Sequence, residues 1–412
     1  MDTAAPPDGS LPASARVGLG RRPFGVYVHV PFCATRCGYC DFNTYTAGEL
    51  GTSASPQSWL EGLARELDLG ARVTGAPRSD TVFVGGGTPS LLGADGLAHV
   101  LQAVRSTFGL APGAEVTTEA NPESASAAFF AGIRAAGYTR VSLGMQSAAP
   151  HVLAVLDRTH TPGRAVAAAR AARAAGFDHV NLDLIYGTPG ETDADLDASL
   201  AAVLDAGVDH VSAYALIVEP GTALARKVRR GELAAPDDDV LADRYERLDA
   251  GLSAAGLTWY EVSNWARDGV GDGVGGGGDA RCRHNLGYWG GGDWWGAGPG
   301  AHSHVGGVRW GNVKHPAHYA AELAAGRSPA SSREVLDAQD THTERVMLTT
   351  RLRTGLAVVE LNPAELVVAR QRVDDGLLVV DGTHLVLTPR GRLLADAVIR
   401  DVLVAGGAAT IP

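Results

Sequence analysis

An α/β fold built on a curved, partly open parallel sheet is predicted by three features of the sequence. Runs rich in β-branched residues alternate with Ala-rich stretches of helical length between residues 25 and 218. Six such β/α pairs can be counted, fewer than the eight that close a barrel. Beyond residue 218 the alternation stops, which marks an extension of different construction.

The strands are expected at residues 25–30, 81–85, 115–120, 140–146, 179–186 and 210–218, where Val, Ile, Thr and Tyr suit a pleated backbone. Between them, residues 57–69, 95–108, 124–136, 162–175 and 193–206 carry the Ala and Leu content of helices. Past the sixth strand, 238–255 reads as a helix and 258–262 as a strand, and 269–278 is a flexible glycine-rich insertion with little to bury. The last segment, about 344–404, reads as a helix, short helices, a hairpin over 376–387 turning on Asp381-Gly382, and a closing helix. The expected organisation is a disordered tail (1–22), a partial barrel (23–220), a barrel extension (221–340) and a C-terminal α+β unit (341–412).

Composition narrows the function classes. Hydrophobic residues are 45% and charged residues 20%, as in ordinary globular proteins. The 35 Lys and Arg against 46 Asp and Glu give a net charge of -11, which argues against a general nucleic-acid binder. No apolar run approaches the ~18 residues of a membrane span. Residues 1–20 lack an apolar signal core, and Arg21-Arg22 leads into a strand rather than a cleavage site. A cytoplasmic protein is expected, in which free thiols hold a metal rather than pair.

The chemistry concentrates in residues 26–44, VYVHVPFCATRCGYCDFNT, which hold three of the four cysteines, Cys33, Cys37 and Cys40, spaced Cys-x3-Cys-x2-Cys. Thiolates at this density are iron or zinc ligands more often than packing residues. Three of them can hold three irons of a [4Fe-4S] cube and leave the fourth iron open, whereas a closed structural site wants four ligands. Spacing alone does not separate iron from zinc.

With Tyr39 just before the last cysteine, this motif resembles the radical S-adenosylmethionine (SAM) superfamily. The flanking words Tyr27-Val28-His29-Val30-Pro31-Phe32-Cys33 and Cys40-Asp41-Phe42 resemble its oxygen-independent coproporphyrinogen oxidase branch and the HemW-type heme chaperones related to it. In the dehydrogenases of that branch the pattern continues to Cys-x-Cys, and here that position is Phe42, which favours the chaperone type. The resemblance implies a partial (β/α)6 radical SAM barrel with a winged-helix-like C-terminal extension acting as a lid or docking unit. It implies a cluster whose open iron chelates SAM, a bound heme, heme acceptor proteins as partners, and an electron donor such as flavodoxin or ferredoxin.

By the same resemblance, Gly86, Gly87 and Thr88 of GGGTP form the loop for the amino end of SAM, although alone that word is as often a tight turn. It is neither a P-loop nor a dinucleotide turn. Glu119, Gln146, Arg158 and Asp183, at or just past later strands, match the SAM-contacting pattern in order and spacing, as do Tyr27 and Tyr39. A strand-end carboxylate suits ribose hydroxyls and an arginine suits the methionyl carboxylate. Taken singly, each is as readily a rim ion pair or a cap.

Residues 281–289, RCRHNLGYW, resemble the HNxxYW word of the HemW type. His284 is the expected heme ligand, with His302, His304 and Cys282 as rivals, and Tyr288, Trp289, Trp294 and Trp295 as flat walls for a porphyrin. The plain reading is an aromatic core around a hydrogen-bonded histidine. Cys282 reads as a core thiol, a heme ligand or a distant fourth cluster ligand. The basic run 226–230 is a solvated helix face, or a contact for heme propionates or an acidic partner. Two functions therefore compete, a heme-trafficking chaperone and a coproporphyrinogen III dehydrogenase. A plain structural iron-sulfur or zinc protein stands third.

Overall fold

The computed structural model describes residues 5–158, 161–269 and 278–407. Six parallel strands form its centre: β1 (Phe24–Val30), β2 (Ser79–Gly86), β3 (Leu110–Ala120), β4 (Arg140–Gln146), β5 (His179–Tyr186) and β6 (His210–Ala215). The sixth strand ends at Ala215, short of the expected 218. Each crossover carries a helix, the longest being Pro56–Thr74, started by Ser55 accepting from the Ser58 amide and stopped by left-handed Gly75. Residues 124–136 divide into a 3-10 turn, Pro122–Ser124, and a helix, Ala127–Ala136. The Ala-rich helix Arg164–Ala174 buries Ala165, Ala168, Ala169 and Ala172, small side chains that let it lie close to the sheet.

The sheet does not stop at the barrel. The strands β7 (Thr258–Glu261), β8 (Asn264–Ala266), β9 (Asp293–Ala297), β10 (His302–Val305), β11 (Val308–Asn312) and β12 (Ala330–Val335) extend it at both edges. The order is β12-β11-β10-β9-β1-β2-β3-β4-β5-β6-β8-β7. β9 joins β1 in parallel, while the other additions pair antiparallel. The partial barrel and its extension are thus one sheet with one hydrophobic core.

The segment expected as a disordered tail is placed from residue 5 onward. Ala15 and Leu11 are buried, Pro7 O accepts from the Ser328 amide at 2.7 Å, and Ser10 O accepts from Arg333 at 3.1 Å. Apolar burial at Leu11 and Ala15, against the outer strands, decides this where composition suggested disorder. Of the glycine-rich insertion, residues 270–277 lie outside the described part of the chain.

The C-terminal unit has its own core of Val346, Leu356, Ala369, Leu378, Leu385, Val398, Ile399, Val402 and Leu403. Helix Ala338–Thr349 precedes β13 (Leu356–Ala357); helix Pro363–Asp374 precedes the hairpin of β14 (Leu378–Asp381) and β15 (His384–Leu387), which turns at Gly382. Arg392 fastens this unit to the extension, pairing with Asp249 at 2.8 Å and lying 4.7 Å over the Trp259 ring.

Candidate active site at the strands' carboxyl ends

Strands of a parallel sheet covered by helices usually read as continuous apolar runs. Here β3 to β6 instead carry polar pairs two residues apart: Thr117 and Glu119, Arg140 and Ser142, Asn181 and Asp183, His210 and Ser212. Alternate residues of a strand share one face, so these eight side chains line a common lumen. They border a cavity of about 760 Å³ that opens at the carboxyl ends of the strands, under the cysteine loop.

Cys33, Cys37 and Cys40 all border that cavity and are free thiols, partly exposed. The chain enters the loop through a two-residue strand, Phe32–Cys33, paired with Tyr45–Thr46. Burial raises the Cys33 thiol, and pushes Cys40 up to about 11. The Cys33 sulfur accepts from Thr88 Oγ1 at 3.7 Å, and the Cys37 sulfur from Arg158 Nη1 at 3.2 Å. Gly38 N donates to Leu156 O at 3.2 Å and Leu224 N to Gly38 O at 2.8 Å, so the loop is clamped between two helices. A Cβ on Gly38 would stand 2.2 Å from the Asp157 carboxylate, which pairs with Lys227 at 3.1 Å. The basic run 226–230 thus begins as part of the loop's support.

The glycine loop is folded onto the cysteine loop. Gly87 N donates to Val30 O at 2.7 Å and Thr88 N to Phe32 O at 2.8 Å. A Cβ on Gly87 would lie 2.5 Å from Phe32 O, and Gly86 has φ +109°, so neither position accepts a side chain. Gly86 N donates to the Glu119 carboxylate at 3.0 Å.

Behind the thiols, burial pushes the Glu119 carboxyl up to about 8, aided by the neighbouring charge of Asp183. Asp183 rises to about 6 for the same first reason, although Asn181 Nδ2 at 2.6 Å and Ser142 Oγ at 3.1 Å both donate to it. Arg158 is mostly buried and donates to Gly144 O at 3.2 Å, while its Nε has no partner among the described residues. Gln146 sits at a bulge with φ +67°, a left-handed backbone unusual for glutamine, and it too borders the cavity. Tyr39 borders it and packs with Ile185 and Leu216.

Two expected contacts are elsewhere. Tyr27 does not border the cavity: its hydroxyl bonds His29 Nδ1 at 2.9 Å, and His29 Nε2 bonds Asn43 O at 2.9 Å, so the pair braces the exit of the cysteine loop. His284 is at the opposite end of the barrel, behind Phe83 at 5.3 Å between rings. Its Nδ1 bonds Thr81 Oγ1 and its Nε2 bonds Tyr288 Oη, both at 2.8 Å, and burial lowers it to about 4. A heme iron needs a free nitrogen lone pair facing open space, and His284 offers neither.

The rest of its segment plugs the floor of the same cavity, which Cys282 and Asn285 border. Cys282 Sγ lies 3.6 Å from Glu115 Oε1, and burial pushes the thiol up to about 12. Glu115 pairs with buried Arg140 at 3.1 Å. The Glu261 carboxylate takes hydrogen bonds from Asn285 and Trp289. Trp295 packs on Trp310, and Trp294 on His304, so none of these indoles walls the cavity. His302 is exposed on β10, and His304 bonds Gly292 O.

The lumen residues Thr117, Arg140, Ser142, Asn181, His210 and Ser212 were not anticipated as site residues. Their signal was in the sequence, as polar residues at every second position of strands that helices cover.

The donor set fits an iron-sulfur cube. Three thiolates of a cube each meet a different iron.

Comparison with known proteins agrees. The Radical SAM superfamily description matches residues 27–203. The chain is 64% identical to the heme chaperone HemW of Mycobacterium tuberculosis over 93% of this chain and 95% of that one. It is 30% identical to HemW of Bacillus subtilis over 90% and 97%. Coproporphyrinogen III oxidase of Escherichia coli, solved as a radical SAM enzyme, superposes with a TM-score of 0.79 at 24% identity over 96% of this chain and 92% of that one, a likeness of fold.

Proposed function

The chain belongs to the HemW family and carries its radical SAM domain, and on that premise we propose that it is a heme chaperone that binds heme and passes it to acceptor proteins. One observation carries the rest of the reading: three loop thiols border the same cavity as two half-buried carboxylates and a half-buried arginine whose Nε has no partner among the described residues. Cys33, Cys37 and Cys40 are the cluster ligands. Such a cluster, when bound with SAM and reduced, supplies one-electron chemistry at the sulfonium.

The chain's own residues then bind and orient. Arg158, with one guanidinium nitrogen unspent, pairs the methionyl carboxylate. Glu119 and Asp183 accept from ribose hydroxyls, and Gln146 and Tyr39 bound the same space. The loop at residues 86–88 turns carbonyls to the amino group, since its amides are committed to Glu119, Val30 and Phe32. Electrons come from a flavodoxin or ferredoxin. We place the protein in the cytoplasm, where its four free thiols stay reduced; no helix among the described residues is long and apolar enough to cross a membrane.

Phe42 separates this function from porphyrinogen oxidation, because it is half exposed where a dehydrogenase carries cysteine. The test is anaerobic. The reconstituted protein is given SAM with heme, or SAM with coproporphyrinogen III, and the Soret band, 5'-deoxyadenosine and protoporphyrinogen are followed. Stoichiometric heme binding without protoporphyrinogen is expected. Turnover of coproporphyrinogen would overturn the chaperone reading.

A further inference from the structure

We infer that the apolar mouth of the cavity, centred on Phe42 and Ile217, is the platform on which heme is held; the inference rests on the heme-chaperone reading and places its ligand. Three strongly exposed large apolar side chains among the described residues border this one opening: Ile217 at 65%, Phe42 at 58% and Leu91 at 44%. They come from three separate segments. Phe42 lies two residues past Cys40, Leu91 is in the 3-10 turn Pro89–Leu92 after the glycine loop, and Ile217 stands just beyond β6. Exposed apolar residues are normally scattered, and their convergence on a cavity's rim marks a ligand with apolar surface.

The cavity therefore has two zones. Its inside is polar and suits SAM. Its mouth suits a flat ligand that is apolar on both faces and carries charge at one edge.

The charges around the mouth set how such a ligand lies. Arg36 is its exposed cation, shared with Glu49 at 3.5 Å, while Asp41, Glu123 and Glu219 also border it. Two propionates are repelled by those carboxylates, so they point to solvent on the Arg36 side while the ring lies over Phe42. Among the described residues, the histidine that borders the cavity is His210. Both its nitrogens are taken, by Asn181 at 2.7 Å and Tyr260 at 2.8 Å. The platform thus grips the porphyrin by its faces without an imidazole bond to iron, an arrangement that lets the ligand leave for an acceptor that supplies one. It also assigns a purpose to Phe42, the position at which the sequence departs from the dehydrogenase pattern.

The test is an anaerobic hemin titration of the full chain without SAM, followed at the Soret band. Hemin adheres to apolar surface generally, so a matched control is required. Phe42→Asp combined with Ile217→Asp is compared with Val359→Asp combined with Val380→Asp, which removes two exposed apolar residues, at 89% and 55%, from the C-terminal unit. The mouth variant is expected to bind hemin at least about tenfold more weakly, and the control to bind as the parent does. Unchanged affinity in the mouth variant, or an equal loss in the control, overturns the platform. Absence of stoichiometric hemin binding by the parent chain overturns the chaperone reading itself.

Discussion

The cysteine loop and the 282–289 segment carry the two words by which the chain resembles its relatives, and they meet one cavity from opposite ends of the barrel, the thiols at its lip and Cys282 and Asn285 at its floor. At the carboxyl ends, polar groups face a cavity with bonding capacity in hand: Arg158 Nε without a partner among the described residues, Glu119 and Asp183 half-buried near each other, three thiols at the lip. At the amino ends every polar member of HNxxYW is bonded within the protein, His284 to Thr81 and Tyr288, Asn285 and Trp289 to Glu261. A motif residue is available for chemistry when its capacity is unspent. One that is fully bonded holds the fold, however suggestive its side chain.

The largest effect that tests this contrast is loss of the cluster. Cys33→Ser, Cys37→Ser or Cys40→Ser should each abolish the charge-transfer absorption of the anaerobically reconstituted protein, and Cys282→Ser should retain it. Equal loss with Cys282→Ser would make it a fourth cluster ligand.

Next comes stability at the plug. Glu115→Ala strands the Arg140 guanidinium, which is 2% exposed, and should lower unfolding free energy by about 3–5 kcal/mol in urea titrations. A change under about 1 kcal/mol would mean that the floor of the barrel carries little structural weight.

His284→Ala should cost about 2–4 kcal/mol, by leaving Thr81 and Tyr288 hydroxyls without their partner and opening space beside Phe83. Its heme spectrum should match the parent's. A shifted Soret band would return this histidine to the ligand list and erase the contrast.

The smallest effect is a slope with pH. The Glu119 proton is bound more tightly in the folded than in the unfolded chain, since burial raises its pKa from 4.5 to about 8. Its contribution to stability is therefore full below 4.5 and is lost as pH rises through about 8. Asp183 acts in the same sense, toward about 6. Glu119→Gln should flatten the stability profile of the SAM-free protein across that window, and a profile no flatter than the parent's would show that Glu119 is not the buried acid described.

Much of this was legible from residue order. Strand and helix periods placed all six β/α units within a few residues, because a buried strand and an amphipathic helix each leave their period in the sequence. Glu119, Gln146, Arg158 and Asp183 were singled out by their resemblance to the SAM-contacting pattern of the superfamily, and all four border the cavity. Tyr27, expected with them, does not itself border the cavity. Its ring shares the face of the sheet that Phe83 presents to the cavity, and only the folded neighbours decide that its hydroxyl bonds His29 on the same face.

By itself, then, the sequence determined the barrel, its order of units and the three thiols, all consequences of local period and spacing. The tertiary structure decided what no local pattern encodes: that the tail packs onto the outer strands, that β9 extends the barrel beside β1, and that residues from 282 close its floor. It also decided which polar groups remain unspent. Hydrogen-bond partners such as Thr81 and His284 lie 203 positions apart, and only the folded chain brings them within 2.8 Å.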